Sequence, residues 1–152
     1  MRDLSRKYEK ALVRSVLHIF NNFFSDETAE EAYQTQSSSS GDHVWIEIAG
    51  SFSGEIVISL PHDTLVNLIR IFHPRSQEKT LMKHKNDVIG EMANLITGTF
   101  ANQLQYLNHD IRLSPPEFDE EPIQMKALYH NINCSFMTTY GGFDVDLYYK
   151  EK

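Results

Sequence analysis

The run Asn86-Asp-Val-Ile-Gly-Glu-Met-Ala-Asn-Leu-Ile-Thr-Gly-Thr-Phe-Ala-Asn-Gln-Leu104 predicts one long helix with two unlike faces. At about 100° per residue, Val88, Met92, Leu95, Ile96, Thr99, Gln103 and Leu107 fall on one side, and all but Thr99 and Gln103 are apolar, so that side is expected to be buried. Asp87, Glu91, Asn94, Gly98 and Asn102 fall on the other. Their spacing stacks two acids and a carboxamide in a single row, followed by a residue with no side chain. A partner surface could approach that row closely.

Acids, amides and a glycine on an outer helix face ordinarily mean only that the face is solvated. Gly98 adds weight, because glycine in a helix interior costs about 1 kcal/mol relative to alanine and this one lies beyond Asn94 in the row, not at an end where it would be a cap. Something other than helix stability favours a bare position there.

Other segments supply the rest of a fold. Leu4, Tyr8, Leu12, Val16, Phe20, Phe23 and Phe24 recur every three or four residues, which predicts an amphipathic helix from about Arg2 to Phe24 with that stripe in the core. Asp26 to Gly41, with four serines at Ser37 to Ser40, has little to bury and is expected to be a mobile connection. Val44–Gly50 and Gly54–Leu60 predict an antiparallel hairpin, and Pro61 ends it. His62–Phe72 predicts a helix with Leu65, Leu68, Ile69 and Phe72 inward, stopped by Pro74, and polar residues Arg75 to Lys85 lead into the long helix.

Beyond it, strands are expected near Ile111–Leu113, Ile123–Tyr129, Ile132–Thr139 and Phe143–Tyr149, with Gly141-Gly142 as the last hairpin turn and the acidic Glu117–Glu121 as a loop. This order predicts an α/β (α+β) domain over residues 1–152: a mostly antiparallel sheet covered on one face by two long helices and a shorter one.

Composition narrows the function. The formal charge of −7 and the lack of a basic stripe argue against a nucleic-acid partner. The one cysteine, Cys134, excludes an internal disulfide and a cysteine-based zinc site, and is expected in a strand core. The seven histidines are dispersed, with no pair at helical metal-ligand spacing, so no metal site is expected. No secretory signal or apolar run of about 18 residues is found, so a membrane span is not expected and a cytoplasmic protein is.

The row Asp87-x-x-x-Glu91-x-x-Asn94-x-x-x-Gly98, with Pro115-Pro116 about twenty residues on, resembles the helix signature of the CheX/CheC/FliY phosphatases of bacterial chemotaxis. The element order from Val44 to Tyr149 and the Gly-x-x-x-Ser-Leu-Pro run at Gly54 to Pro61 are similar to CheX as well. That resemblance implies a phosphatase acting on the phospho-aspartate of a CheY-like response regulator, with Glu91 and Asn94 as the residues that enter the regulator's site. It implies that Asn94 positions the attacking water, that Glu91 pairs with the regulator's lysine, and that Mg²⁺ belongs to the partner, with no cofactor on this chain.

Asp87 and Gly98 are the candidate partner-binding residues, although Asp87 at the helix start also suits a cap interacting with the helix dipole. The first helix has Glu9 but Leu12 where a second amide would stand, which points to the single-site CheX type, and CheX resemblance implies a homodimer. The glycine usual after the family's proline is absent. The rival reading is a non-catalytic module that binds a receiver or a flagellar switch component, like the middle domain of FliM, which lacks the Glu and Asn pair.

Overall fold

Alternation of apolar and polar side chains in four long strands decides which face of the sheet the helices cover. The computed structural model describes residues 2–33, 41–107, 109–119 and 129–150. In order these form α1 (Arg2–Asn22), β1 (Glu30–Ala32), β2 (Gly41–Gly50), β3 (Ser53–Pro61), α2 (His62–Phe72), α3 (Glu78–Leu81), a 3-10 turn (Met82–His84), α4 (Lys85–Gln105), β4 (Ile111–Leu113), β5 (Glu117–Asp119), β6 (His130–Thr138) and β7 (Gly141–Lys150).

The strands make one sheet in the order β1-β6-β7-β3-β2-β4, with β5 also on β2, and every pairing among them is antiparallel. Val44, Ile46 and Ile48 of β2, Ile56, Ile58 and Leu60 of β3, Ile132, Cys134 and Phe136 of β6, and Val145, Leu147 and Tyr149 of β7 are all buried. Period-two geometry puts each set on one side of its strand, and the pairing register aligns the sets. Leu12, Val16 and Phe20 of α1, Leu65, Leu68 and Ile69 of α2, and Ile89, Ile96, Phe100 and Leu104 of α4 join them in one core cluster. Each fully buried aliphatic or aromatic side chain stabilises by about 1.5–3 kcal/mol. The α+β arrangement expected from the element order is the one observed.

Several details differ from that expectation. Glu117–Asp119 is not a loop but the edge strand β5, paired with Trp45, Val44 and His43. Within the expected connection at 26–41, Glu30–Ala32 pairs with β6. Three-residue edge strands carry no hydrophobic pattern of their own; the unsatisfied backbone groups of a neighbouring edge capture them.

The last hairpin turns at Thr139–Tyr140, and Gly141 and Gly142 already pair with Thr138 and Met137. Gly141 is required for another reason. Its φ is +127° and a Cβ there would stand 2.3 Å from Thr64 Oγ1, so glycine lets α2 dock on the hairpin. Thr64 Oγ1 then donates to Gly142 O at 2.8 Å, and Asn67 Nδ2 to Tyr140 O at 2.9 Å.

The polar lead-in at 75–85 holds α3 and the 3-10 turn, and Lys85 already opens α4. Of the residues expected inward, Leu4, Phe23 and Phe72 are exposed. They lie at helix ends, where the neighbour that would cover them has already turned away. The expected strand at Ile123–Tyr129 lies outside the described residues apart from Tyr129, which is not in a strand.

Candidate functional site

The helix α4 is held at its start by contacts from two other elements. Lys85 pairs with Asp42 of β2 at 2.6 Å, both side chains mostly shielded from water. The His84 ring lies on the His73 ring at the end of α2, with centroids 3.6 Å apart and planes 8° from parallel. These two histidines lie on different elements, separated by Pro74 and the α3 segment, and no single-helix spacing rule would have paired them. No side chain caps α4 by a hydrogen bond; its N-cap is His84. Asp87 therefore does not act as a hydrogen-bonding cap, although its carboxylate lies in the first turn, where the helix dipole favours negative charge.

The buried arc of α4 is wider than the predicted stripe. Val88, Met92 and Ile96 are buried as expected, but Leu95, Thr99, Gln103 and Leu107 are half-buried, and Ile89, Ala93, Thr97, Phe100, Ala101 and Leu104 are buried in addition. The cause is that α4 packs against both the sheet and the helix α1, so two contact directions add. Only a narrow strip is left open. Asp87, Glu91, Asn94 and Asn102 are exposed along it and Gly98 is partly so.

Among the described residues no hydrogen bond or ion pair engages the side chains of Glu91 or Asn94. The structure thus brings the predicted Asp87, Glu91, Asn94 and Gly98 onto one open surface, with a carboxylate and a carboxamide one turn apart. Among the described residues, a Cβ built on Gly98 would meet no atom within 4 Å beyond its own stretch of helix. On α1, Glu9 is exposed but Leu12 is fully buried, so that helix presents no second row.

The strip has an apolar flank on each side. A Cβ on Gly90 would lie 3.1 Å from the Phe118 ring and 3.6 Å from Pro116, so the absence of a side chain lets the β5 segment close against α4. On the other side Asp87 and Glu91 share a groove with Phe23, Phe24, Phe72 and Met92. The sequence placed all three phenylalanines in the core; Phe24 is buried there, whereas Phe23 and Phe72 are left exposed at the ends of two helices.

Such a strip can bind and orient but carries no obvious nucleophile. A carboxamide has both a donor and an acceptor and can hold a water molecule, while a carboxylate can receive a lysine ammonium. Among the described residues, the perturbed titrating groups lie elsewhere, on β6 and β7 and at Asp26 beyond the end of α1. Burial, then the charges of Glu31 and Glu9, push the Cys134 thiol up to about 12, and ligand atoms of these three side chains lie within 4.8 Å of one another. Burial also raises Asp146, against hydrogen bonds from Asn133 and Asn131. As expected, Cys134 occupies a strand core position.

Comparison with known proteins agrees with the geometry. The family model for the chemotaxis phosphatase CheX matches residues 43–131. CheX from Borrelia burgdorferi, solved in a complex with CheY, BeF₃ and Mg²⁺, is similar in structure with a TM-score of 0.78 at 18% identity, over 95% of this chain and 98% of that one. CheX from Desulfovibrio desulfuricans gives a TM-score of 0.76 at 14% identity, over 94% and 99% of the two chains. The FliM middle domain of H. pylori shares the fold more loosely, with a TM-score of 0.58 at 6% identity over 98% of this chain and 92% of that one. No curated protein sequence matches the chain.

Proposed function

This chain belongs to the CheX family of chemotaxis phosphatases, and from that premise we propose that it hydrolyses the phospho-aspartate of a CheY-like response regulator, with Asn94 orienting the attacking water and Glu91 docking the regulator. The observation that supports this reading is the exposed Glu91 and Asn94 pair, one turn apart on a helix packed on two sides and with neither side chain engaged among the described residues. A rigid helix is the right carrier for such a task, because displacing a positioning group by 1 Å can cost about 100-fold in rate.

An aspartyl phosphate is an acyl phosphate, already activated for attack. The receiver supplies Mg²⁺ and a lysine to neutralise the phosphoryl oxygens, so what is missing is a water held in line with the scissile bond. Asn94 accepts a hydrogen bond from that water through its Oδ1 and so directs an oxygen lone pair at phosphorus. The new O–P bond forms as the bond from phosphorus to the aspartyl oxygen breaks, which releases inorganic phosphate and restores the carboxylate. Glu91 accepts from the receiver's lysine and sets the depth of insertion. Asp87 adds negative charge beside it, and the open space at Gly98 leaves room for the receiver's backbone.

The test is phosphate release from phosphorylated CheY-type receivers with the wild type, Asn94→Ala and Glu91→Ala in parallel. Loss of release in Asn94→Ala, with binding of the BeF₃-activated receiver retained, supports the reading. Equal rates for all three proteins, or binding with no release by the wild type, would leave only a receiver-binding module.

We infer in addition a homodimer, in the cytoplasm with its receiver. Among the described residues, β1 pairs with β6 at Ser135–Met137 and no described strand pairs with the outer edge from His130 to Cys134, and we infer that this edge is where a second copy would pair. Sedimentation at micromolar concentration reads the assembly directly.

A further inference from the structure

Beside Glu91 the protein carries a groove of about 190 Å³, walled by Phe23, Phe24, Phe72 and Met92 and shared with the side chains of Asp87 and Glu91. Phe23 is 46% exposed and Phe72 43%. Their ring centroids are 6.0 Å apart, and each ring also packs on Phe24, at 5.3 Å and 6.0 Å. Two half-exposed phenyl rings converging on one concavity mark a binding surface more than a solvated face.

The rings sit on elements that are fixed in place. At the end of α1, Ser25 takes a left-handed conformation with φ of 53°, and Asp26 N donates to Phe20 O at 2.8 Å. The Asp26 carboxylate receives Thr139 N and Oγ1 from the β6–β7 turn, and Tyr140 OH donates to Phe24 O at 3.1 Å. At the end of α2, His73 N bonds to Ile69 O, and its ring stacks on His84. An apolar surface so held loses little entropy when it is covered.

Size and charge limit the occupant. The volume is below the range of about 300–1,000 Å³ typical of small-molecule sites, and too small to take the several successive side-chain anchors of a docked helix. It suits one large apolar side chain. The two carboxylates favour a partner with positive charge next to that side chain and disfavour an acidic one. The groove shares Asp87 and Glu91 with the open strip, one turn from Asn94, so a protein that docks on that strip lies next to the rings.

We propose that the groove is the anchor for the phosphorylated receiver: it takes one leucine-, methionine- or phenylalanine-sized side chain that neighbours a basic residue on the receiver's active-site face, and thereby selects which receiver is bound. The proposal rests on the receiver-phosphatase reading and adds the specificity determinant to it. Phe23 and Phe72 contribute binding, not chemistry.

The experiment compares the wild type with Phe23→Ala, Phe72→Ala and the conservative Phe72→Leu in two assays: phosphate release against receiver concentration, and calorimetric titration with the BeF₃-activated receiver. The alanine variants are expected to raise KM and Kd about tenfold, with kcat within twofold and the melting temperature little changed, while Phe72→Leu recovers most of the affinity. Unchanged KM and Kd in both folded alanine variants would overturn the groove and leave the phosphatase reading standing. Phenylalanine-dependent binding with no release by the wild type would overturn the phosphatase reading and retain the groove. A wild type that neither binds nor dephosphorylates any CheY-type receiver would sink both.

Discussion

Gly98 stands one turn beyond Asn94 on the open side of α4, and a Cβ added to it would meet no atom of another element within 4 Å. No described side chain of another element fills the space beside it. Gly98→Ala should stabilise the helix by up to about 1 kcal/mol, a rise of roughly 2–4 °C in melting temperature. Gly98→Phe should fold equally well yet slow phosphate release, since its ring would stand where the receiver approaches. Melting curves and the release assay on both variants separate helix stability from clearance.

Glu91 and Asn94 should fail differently when altered. Asn94→Ala is expected to slow phosphate release about 100-fold or more at saturating receiver, through loss of water alignment. Glu91→Gln is expected to act on affinity, with a deficit that is largest at low ionic strength and shrinks with added salt, because salt screens the lost attraction to the receiver's lysine. Steady-state kinetics at 50 and 500 mM salt, between which the Debye length falls roughly threefold, would show the two signatures.

Thr97 is fully buried on α4, and its Oγ1 finds no hydrogen-bond partner among the described residues. Replacement by the isosteric valine removes a desolvated hydroxyl while keeping the shape. Thr97→Val should therefore gain about 1 kcal/mol, measurable by denaturant unfolding with an unchanged m-value.

Asp26 joins the end of α1 to the β6–β7 turn. Its carboxylate accepts from Thr28 N and Oγ1 at 3.0 and 2.7 Å and from Thr139 N and Oγ1 at 2.8 and 2.9 Å. Burial pushes its pKa up, but the hydrogen bonds outweigh burial and hold it below 3.8. With the folded pKa depressed, this stabilisation is present above pH 3.8 and is lost as pH falls through the folded value. Asp26→Asn should cost about 2 kcal/mol at pH 7 and less at pH 3, so the wild-type and variant melting curves converge on acidification.

Cys134 is 1% exposed and its thiol is raised from 9.0 to about 12, chiefly by burial and then by Glu31 and Glu9. The thiolate is the reactive form, so alkylation at pH 8 should be at least ~1,000-fold slower in the folded protein than in urea. For the same reason the folded state loses stability as pH rises from 9.0 towards about 12, because the unfolded thiol ionises first. Mass spectrometry after a timed iodoacetamide pulse reads the first effect.

Helix and strand periodicities are local, and they were sufficient for the parts of this protein that depend on local geometry. The row of Asp87, Glu91, Asn94 and Gly98 follows from 3.6 residues per turn, and the hairpin of β2 and β3 from alternation around a short turn. What no local pattern could supply is which neighbour covers a given face. Phe23 and Phe72 belong to apolar stripes like Phe20 and Leu68, but the packed helices end before covering them. The strand β5 exists because β2 had a free edge, Gly141 is glycine because Thr64 approaches it, and Asp26 is stabilised by a turn more than a hundred residues away. Sequence alone settled which side chains share a helix face or a strand side; tertiary contact decided which of those faces stayed open, because burial depends on surfaces contributed by distant segments.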